Sequence, residues 1–312
     1  MLEVRHISKS YRVGGKKPFT SHRIEALEDV SLLLERKQTV GLIGESGCGK
    51  STLGRIIARL LPPDSGEVLW EGSSLWAENA SFDRHSIQMV FQDLGSALNP
   101  GRRIRWIIQE ALRAKQIHRD GWEQVMRAML PRVGLDWDYL ERYPHELSGG
   151  QKQRVAILLA ILMEPGLIVA DEVVSSLDVS VRAQILNLMQ ELQQAMGLSY
   201  LFISHDVGTV YYMSHKVAVM YLGQIVEEGG ADAVCLRGWH PYTQLLLSSQ
   251  LEGVGTRVAA VEQAGEISSR LRMGPGCRFA DRCPLARESC RKEKPPLREV
   301  EEGHWVRCPY CE

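Results

Sequence analysis

One stretch of the chain is built to hold phosphate. Gly44-Glu45-Ser46-Gly47-Cys48-Gly49-Lys50-Ser51 fits G-x-x-x-x-G-K-[ST], and the pattern occurs once. Its three glycines let the backbone wrap an anion with N–H groups pointing inward. A helix starting near Lys50 adds the positive end of its dipole. Lys50 can reach β- and γ-phosphates, and Ser51, followed by Thr52, can offer a hydroxyl to Mg²⁺. Cys48 lies inside the loop, where Lys50 and the helix start would favour its thiolate; the plainer reading is a small side chain that fits. A second chemical stretch is Leu167-Ile168-Val169-Ala170-Asp171-Glu172. An apolar strand there would deliver Asp171 to hold Mg²⁺ and Glu172 to polarise an attacking water.

The elements needed to position these residues are legible around them. Thr39 to Ile43 is a short β-branched run ending at Gly44. Leu53, Ile56, Ile57, Leu60 and Leu61 then recur on one helical face, and Pro62-Pro63 is expected to stop that helix. Ile87–Phe91, Leu167–Ala170, Tyr200–Ile203 and Val217–Tyr221 read as further buried strands. Val181, Ile185, Leu188 and Leu192 mark an amphipathic helix between the later ones. Buried strands alternating with such helices imply an α/β fold on a mainly parallel sheet. Residues 93–146 break the pattern and read as a helical insert, with Trp122, Val125, Met126, Met129 and Leu130 as its packing stripe.

Leu147-Ser148-Gly149-Gly150-Gln151 resembles the signature motif of ATP-binding cassette (ABC) ATPases. It sets glycines and a serine ahead of a helix, a second anion-binding start in one chain. The other family motifs follow in order. Tyr11 matches the aromatic that stacks on adenine, Gln92 the Q-loop glutamine near Mg²⁺, Asp178 the D-loop and His205 the switch histidine at the γ-phosphate. The resemblance implies a P-loop NTPase core over 1–92 and 147–230 with an N-terminal β part, a helical subdomain over 93–146 and a C-terminal extension over 231–312. It implies that Ser148, Gly149, Gly150 and Gln151 act on the nucleotide of a second cassette. Gln92 to Pro100 and His240-Pro241-Tyr242-Thr243 look like the oligopeptide, dipeptide and nickel importer ATPases, and the chain's start looks like the second ATPase of such systems. Val173-Val174 departs from the Pro- or Ala-containing pair common after the glutamate.

Five of seven cysteines crowd the last 36 residues, which in a reducing cytosol points to metal sooner than to disulfides. Cys277, Cys283, Cys290 and Cys308 resemble the family's C-terminal motif, which implies a [4Fe-4S] cluster, with Zn²⁺ as the alternative and Cys311 as a fifth candidate.

The family reading implies ATP as substrate, two membrane permease subunits, a sister ATPase or a second copy, and an extracytoplasmic binding protein. It places the chain peripherally on the cytoplasmic face of the cell membrane. The cargo is expected to be a dipeptide or oligopeptide, with nickel or a metallophore as the alternative. A soluble non-transport ABC ATPase is a weaker alternative, because such chains carry two cassettes or long coiled-coil insertions. Composition narrows the field further. Thirty-seven basic against 38 acidic residues give a net charge of −1 and argue against nucleic acid as a partner. The longest apolar run, Val155 to Met163, is too short to span a bilayer, and the N-terminus does not read as a signal peptide.

Overall fold

The computed structural model describes residues 1–14, 21–77, 82–92, 98–250 and 274–311. The chain divides into two compact units. The first comprises Met1–Glu35, Thr39–Ser81 and Phe202–Glu312, and the second Arg36–Gln38 and Phe82–Leu201.

The first unit opens with an antiparallel sheet. β1 (Leu2–Gly14) pairs with β2 (Ser21–Leu34), setting Leu2 opposite Leu34 and Val4 opposite Leu32. β3 (Thr39–Ile43) is buried at every position, as a strand covered on both faces must be. α1 (Lys50–Ile57) follows the phosphate loop and buries Leu53, Ile56 and Ile57. It stops earlier than its apolar spacing predicts. The Leu60 N–H donates to the Arg55 carbonyl at 2.8 Å, and Arg59 takes a left-handed φ of 58°. This hydrogen-bonded turn ends the helix before either proline, and Leu60, expected on the buried face, is 57% exposed. β4 (Ser65–Trp70) and β5 (Ser73–Ser74) complete a sheet of order β2-β1-β4-β5.

The second unit carries β6 (Ile87–Val90), then α2 (Ile104–Ala114) and α3 (Trp122–Met129). α2 buries Ile104, Ile107, Ile108 and Leu112, one stripe at helical spacing. α3 buries Trp122 and Met126, and the Trp122 indole N–H donates to the Ile117 carbonyl at 2.9 Å. α4 (Gly149–Leu162) is apolar on most sides and correspondingly buried. β7 (Leu167–Asp171) pairs in parallel with β6, and every one of its residues is buried. α5 (Val179–Met196) buries Ile185, Leu188 and Leu192 and ends at Gly197, whose φ of 68° suits a residue without Cβ. β8 (Ser199–Ile203) lies next to β7 at its start and carries the chain back into the first unit.

There, α6 (Val207–Met213) leads to β9 (Lys216–Tyr221), parallel to β3, and β10 (Gln224–Gly230), antiparallel to β9. α7 (Ala231–Arg237) and α8 (Pro241–Gln250) follow, and beyond residue 273 come α9 (Glu288–Lys292) and the hairpin β11 (Arg298–Glu301) and β12 (His304–Val306). β12 adds to β10, so the tail extends the sheet in the order β11-β12-β10-β9-β3. A fully buried carboxylate fastens it. Glu227 accepts from the N–H groups of Trp239 and His240 and pairs with His304 Nε2, each at 2.8 Å. A buried carboxylate needs such partners to offset its desolvation.

Candidate functional site: a phosphate loop and a capped signature turn

The phosphate loop leaves the carboxyl end of β3. A Cβ at Gly44 would lie 2.2 Å from the Met220 carbonyl oxygen, at a φ of 153°, so the loop can turn here only with glycine. Lys50 is 4% exposed. Its ammonium donates to the carbonyls of Gly44 at 2.7 Å and Glu45 at 3.1 Å, so the loop closes on its own lysine. Cys48 is buried beside it, 3.9 Å from Lys50 Nζ, which fits the reading of a small side chain that packs. Ser51 and Thr52 are half-buried in the first turn of α1. The Tyr11 hydroxyl sits 3.4 Å from Thr52 Oγ1 while its ring is exposed, so the expected adenine platform stands beside the loop. His205 is exposed just beyond β8, ahead of the Asp206 cap that opens α6. Ser46, Gly47 and Gly49 complete the turn between Glu45 and α1.

In the second unit β7 delivers Asp171, 6% exposed, at its carboxyl end. Glu172 follows with a left-handed φ of 50°. That conformation costs a non-glycine residue about 1–3 kcal/mol and is concentrated at functional sites. The turn is braced by Ser175, whose hydroxyl and N–H both donate to the Glu172 carbonyl, at 2.9 and 3.2 Å. Val173 and Val174, the departure from the family pattern, are each 3% exposed, so the pair serves as packing under the turn. Gln92 is exposed after β6, and residues 93–97 of the expected Q-loop segment lie outside the described residues.

Ser148 caps α4. Its hydroxyl accepts from the Gln151 N–H at 3.3 Å, and Gln151 Oε1 accepts from the Ser148 N–H at 2.9 Å, a reciprocal box. Gln151 is steadied further by Tyr139, whose hydroxyl accepts from its Nε2 at 3.1 Å, a partner no motif announces. Ser148 and Gly149 are exposed, whereas a Cβ on Gly150 would fall 2.4 Å from Val181 Cγ1 of α5. Asp178 stands exposed at the start of α5.

Residues 27–175 match the ABC transporter family and residues 226–290 the oligopeptide/dipeptide transporter C-terminal region. The dipeptide transport ATP-binding protein DppF of Haemophilus influenzae is 41% identical over 292 residues, covering 92% of this chain and 89% of that protein. The chain belongs to the ABC transporter family. The oligopeptide transport ATP-binding protein AppF of Bacillus subtilis is 41% identical, with 99% of this cassette chain and 96% of that protein covered. The dipeptide transport ATP-binding protein DppF of Escherichia coli is 40% identical, with coverage of 99% and 93%. Among solved structures, an ATP-binding cassette dimer in a post-hydrolysis state with ADP and Pi matches with a TM-score of 0.62. It is 25% identical, covering 74% of this chain and 99% of that one. The cassette fold expected from the sequence is therefore present. No helix among the described residues is long and apolar enough to cross a membrane.

The cysteine-bearing extension of this ABC chain gathers four of the expected ligands. Cys277, Cys283, Cys290 and Cys308 line one small cavity of about 20 Å³, together with His240 and Phe279. Here the expectation meets a limit. Among the described residues, no group of three or more His, Cys, Asp or Glu side chains is placed to hold a metal ion. Burial raises the Cys277 thiol and pushes Cys283 up to about 11, so both pack as neutral groups. A hydrogen bond with Cys311 lowers the Cys308 thiol.

Two residues outside every motif role touch the phosphate loop. Arg282 meets the Glu45 carboxylate with both terminal nitrogens, each at 2.9 Å. Tyr242 accepts from the Glu45 N–H at 2.8 Å. Tyr242 stood in the His240–Thr243 resemblance without a task, and Arg282 had only its place beside Cys283 to mark it.

Proposed function

We propose that the chain is the ATP-hydrolysing subunit powering a bacterial-type importer of dipeptides or oligopeptides. The observation that carries the reading is the phosphate loop closed on buried Lys50 in a chain matched nearly end to end by peptide-transport ATP-binding proteins. In this reading Tyr11 stacks on adenine, and Gly44, Ser46, Gly47, Cys48, Gly49, Ser51 and Thr52 take the phosphates with Lys50. Water polarised by Glu172 attacks the γ-phosphorus in line, His205 contacts the γ-phosphate, and the bond to the β-phosphate oxygen breaks to release ADP and phosphate. The oxygen donors Ser51, Gln92 and Asp171 suit Mg²⁺, which would neutralise phosphate charge. Ser148, Gly149, Gly150 and Gln151 act on the nucleotide of a second cassette, a sister ATPase or another copy, and Asp178 belongs to the loop that crosses the interface between the two.

Residues 1–92 and 147–230 form the ATP-binding part, 93–146 the helical part and 231–312 the extension. The subunit sits on the cytoplasmic face of the cell membrane under two permease subunits fed by an extracytoplasmic binding protein. Glu172→Gln is expected to keep ATP binding while lowering hydrolysis by the assembled transporter about 10²–10⁴-fold. Hydrolysis at the wild-type rate would remove Glu172 from the mechanism.

We infer that the tail cysteines take up a [4Fe-4S] cluster or, as the alternative, Zn²⁺, although the described side chains are not placed as a ligand set. Four thiols share one cavity wall, and a cation there would favour the thiolates that burial now disfavours. Cys277, Cys283, Cys290 and Cys308 would hold the group, whose part is to brace the tail. Iron and sulfide in anaerobically purified protein are expected to support the cluster, zinc alone supports the alternative, and neither metal sinks both.

A further inference from the structure

Two stretches that ATP chemistry leaves without work converge on one phosphate-loop residue. Glu45 is held at three points. Its carbonyl accepts from Lys50 at 3.1 Å, its N–H donates to Tyr242 at 2.8 Å, and its carboxylate receives both terminal nitrogens of Arg282 at 2.9 Å. Two of the three holds come from the C-terminal extension. Tyr242 is fully buried, and its ring packs against Tyr221 and Phe279 with centroids 4.5 and 5.5 Å away. Arg282 lies 5.8 Å from the ring centroids of Tyr221 and Phe279, with 20% of its side chain exposed. Its neighbour in sequence is Cys283, on the wall of the four-cysteine cavity.

A cradle of backbone N–H groups binds phosphate well only if its shape is set beforehand. A planar guanidinium gripping a carboxylate with two parallel bonds sets geometry more tightly than a point charge does. We propose that Arg282 is a positioning residue for the phosphate loop. Acting through Glu45, it keeps the loop entrance in its nucleotide-accepting shape, so the C-terminal extension sets the affinity for ATP. The inference rests on the reading of Gly44–Ser51 as the ATP loop.

The test is the dissociation constant for ATP, by calorimetry on the purified chain, with the unfolding midpoint measured in parallel. Arg282→Ala is expected to weaken ATP binding about five- to tenfold. In the assembled transporter it should raise KM for ATP and change kcat little. Arg282→Lys keeps the charge, loses the fork, and should recover only part of the affinity. Added to Glu45→Gln, Arg282→Ala should cost no further affinity, because its route through the carboxylate is already gone. Lys292→Ala, which removes an exposed ion pair with Glu288 in α9, is expected to leave binding unchanged. Arg282→Ala binding ATP within twofold of wild type, with only its unfolding midpoint lowered, overturns the inference. So does full additivity with Glu45→Gln. If Arg282→Ala fails to fold, Arg282→Lys decides, and wild-type affinity there counts against the proposal. A wild-type chain that binds no ATP overturns the loop reading and this inference together, whereas unchanged binding in the variants overturns this inference alone.

Discussion

The chain starts two helices on glycine-rich turns and finishes the two turns differently. At α1 the cap position is Gly49, which has no side chain to give, and the first N–H groups get no side-chain partner from it. Lys50 instead bends back onto the carbonyls of Gly44 and Glu45. At α4 the turn is self-sufficient, with Ser148 and Gln151 each satisfying the other's N–H. Helix starts expose several unpaired donors and a partial positive charge, so both suit an anion. The loop before α1 gives the Glu45 N–H to Tyr242 and the Cys48 N–H to the Glu45 carbonyl, but no side chain caps the helix start itself. The turn before α4 already spends two N–H groups on itself and stands exposed at its tip. This difference is what would be expected if one turn holds a nucleotide and the other only closes over a nucleotide held elsewhere.

The larger stability effect that sharpens the contrast concerns the support behind the phosphate loop. Burial depresses His240 from 6.5 to about 3, and its Nδ1 accepts from the Tyr242 N–H at 3.1 Å. The unfolded chain therefore binds a proton more readily than the folded one below pH 6.5. His240 contributes its full stability above that value and loses it as pH falls toward the folded pKa. Between pH 7 and 5 this amounts to about 2 kcal/mol. Denaturant titrations at the two pH values should show the drop, and His240→Asn should flatten it even if the variant is less stable throughout. A wild-type chain with no such slope would mean that the support under Tyr242 is open to water.

What could be read from the sequence divides along the same line. The phosphate loop was legible because its parts are adjacent: wrapping, lysine and helix start lie within nine residues. Asp171 and Glu172 were legible through the apolar run before them, although nothing in their types foretold the left-handed turn at Glu172. The end of α1 is not legible, because apolar spacing continues through Leu60 and Leu61 while the turn at Arg59 closes the helix by backbone hydrogen bonding. Arg282 and Glu45 are 237 positions apart, and no periodicity relates them. Their pairing depends on β10 and the tail hairpin bringing the extension home, which is tertiary packing and leaves no local trace. The tail cysteines fall between these cases. Their number and crowding signalled a shared neighbourhood, but spacing carries no information about how near four sulfurs come.

The smaller effect tests the other turn. Ser148→Ala removes the hydroxyl from the reciprocal box and leaves the Gln151 N–H without its cap. An exposed cap of this kind contributes about 1 kcal/mol, which should lower the unfolding midpoint of the unit that carries it by about 2–4 °C. Ser148→Asp restores an acceptor at the cap and should recover most of that loss in the isolated chain. ATP affinity of the dilute, isolated chain should stay at the wild-type value in both variants, since the phosphate loop needs nothing from α4 to bind. In the assembled transporter the two should part company. Alanine removes a donor to phosphate and aspartate adds a repelling charge, so both should slow hydrolysis, the aspartate more. If Ser148→Ala weakened ATP binding in the dilute chain, the two helix starts would be serving one nucleotide within a single molecule, and the division of labour between them would fail.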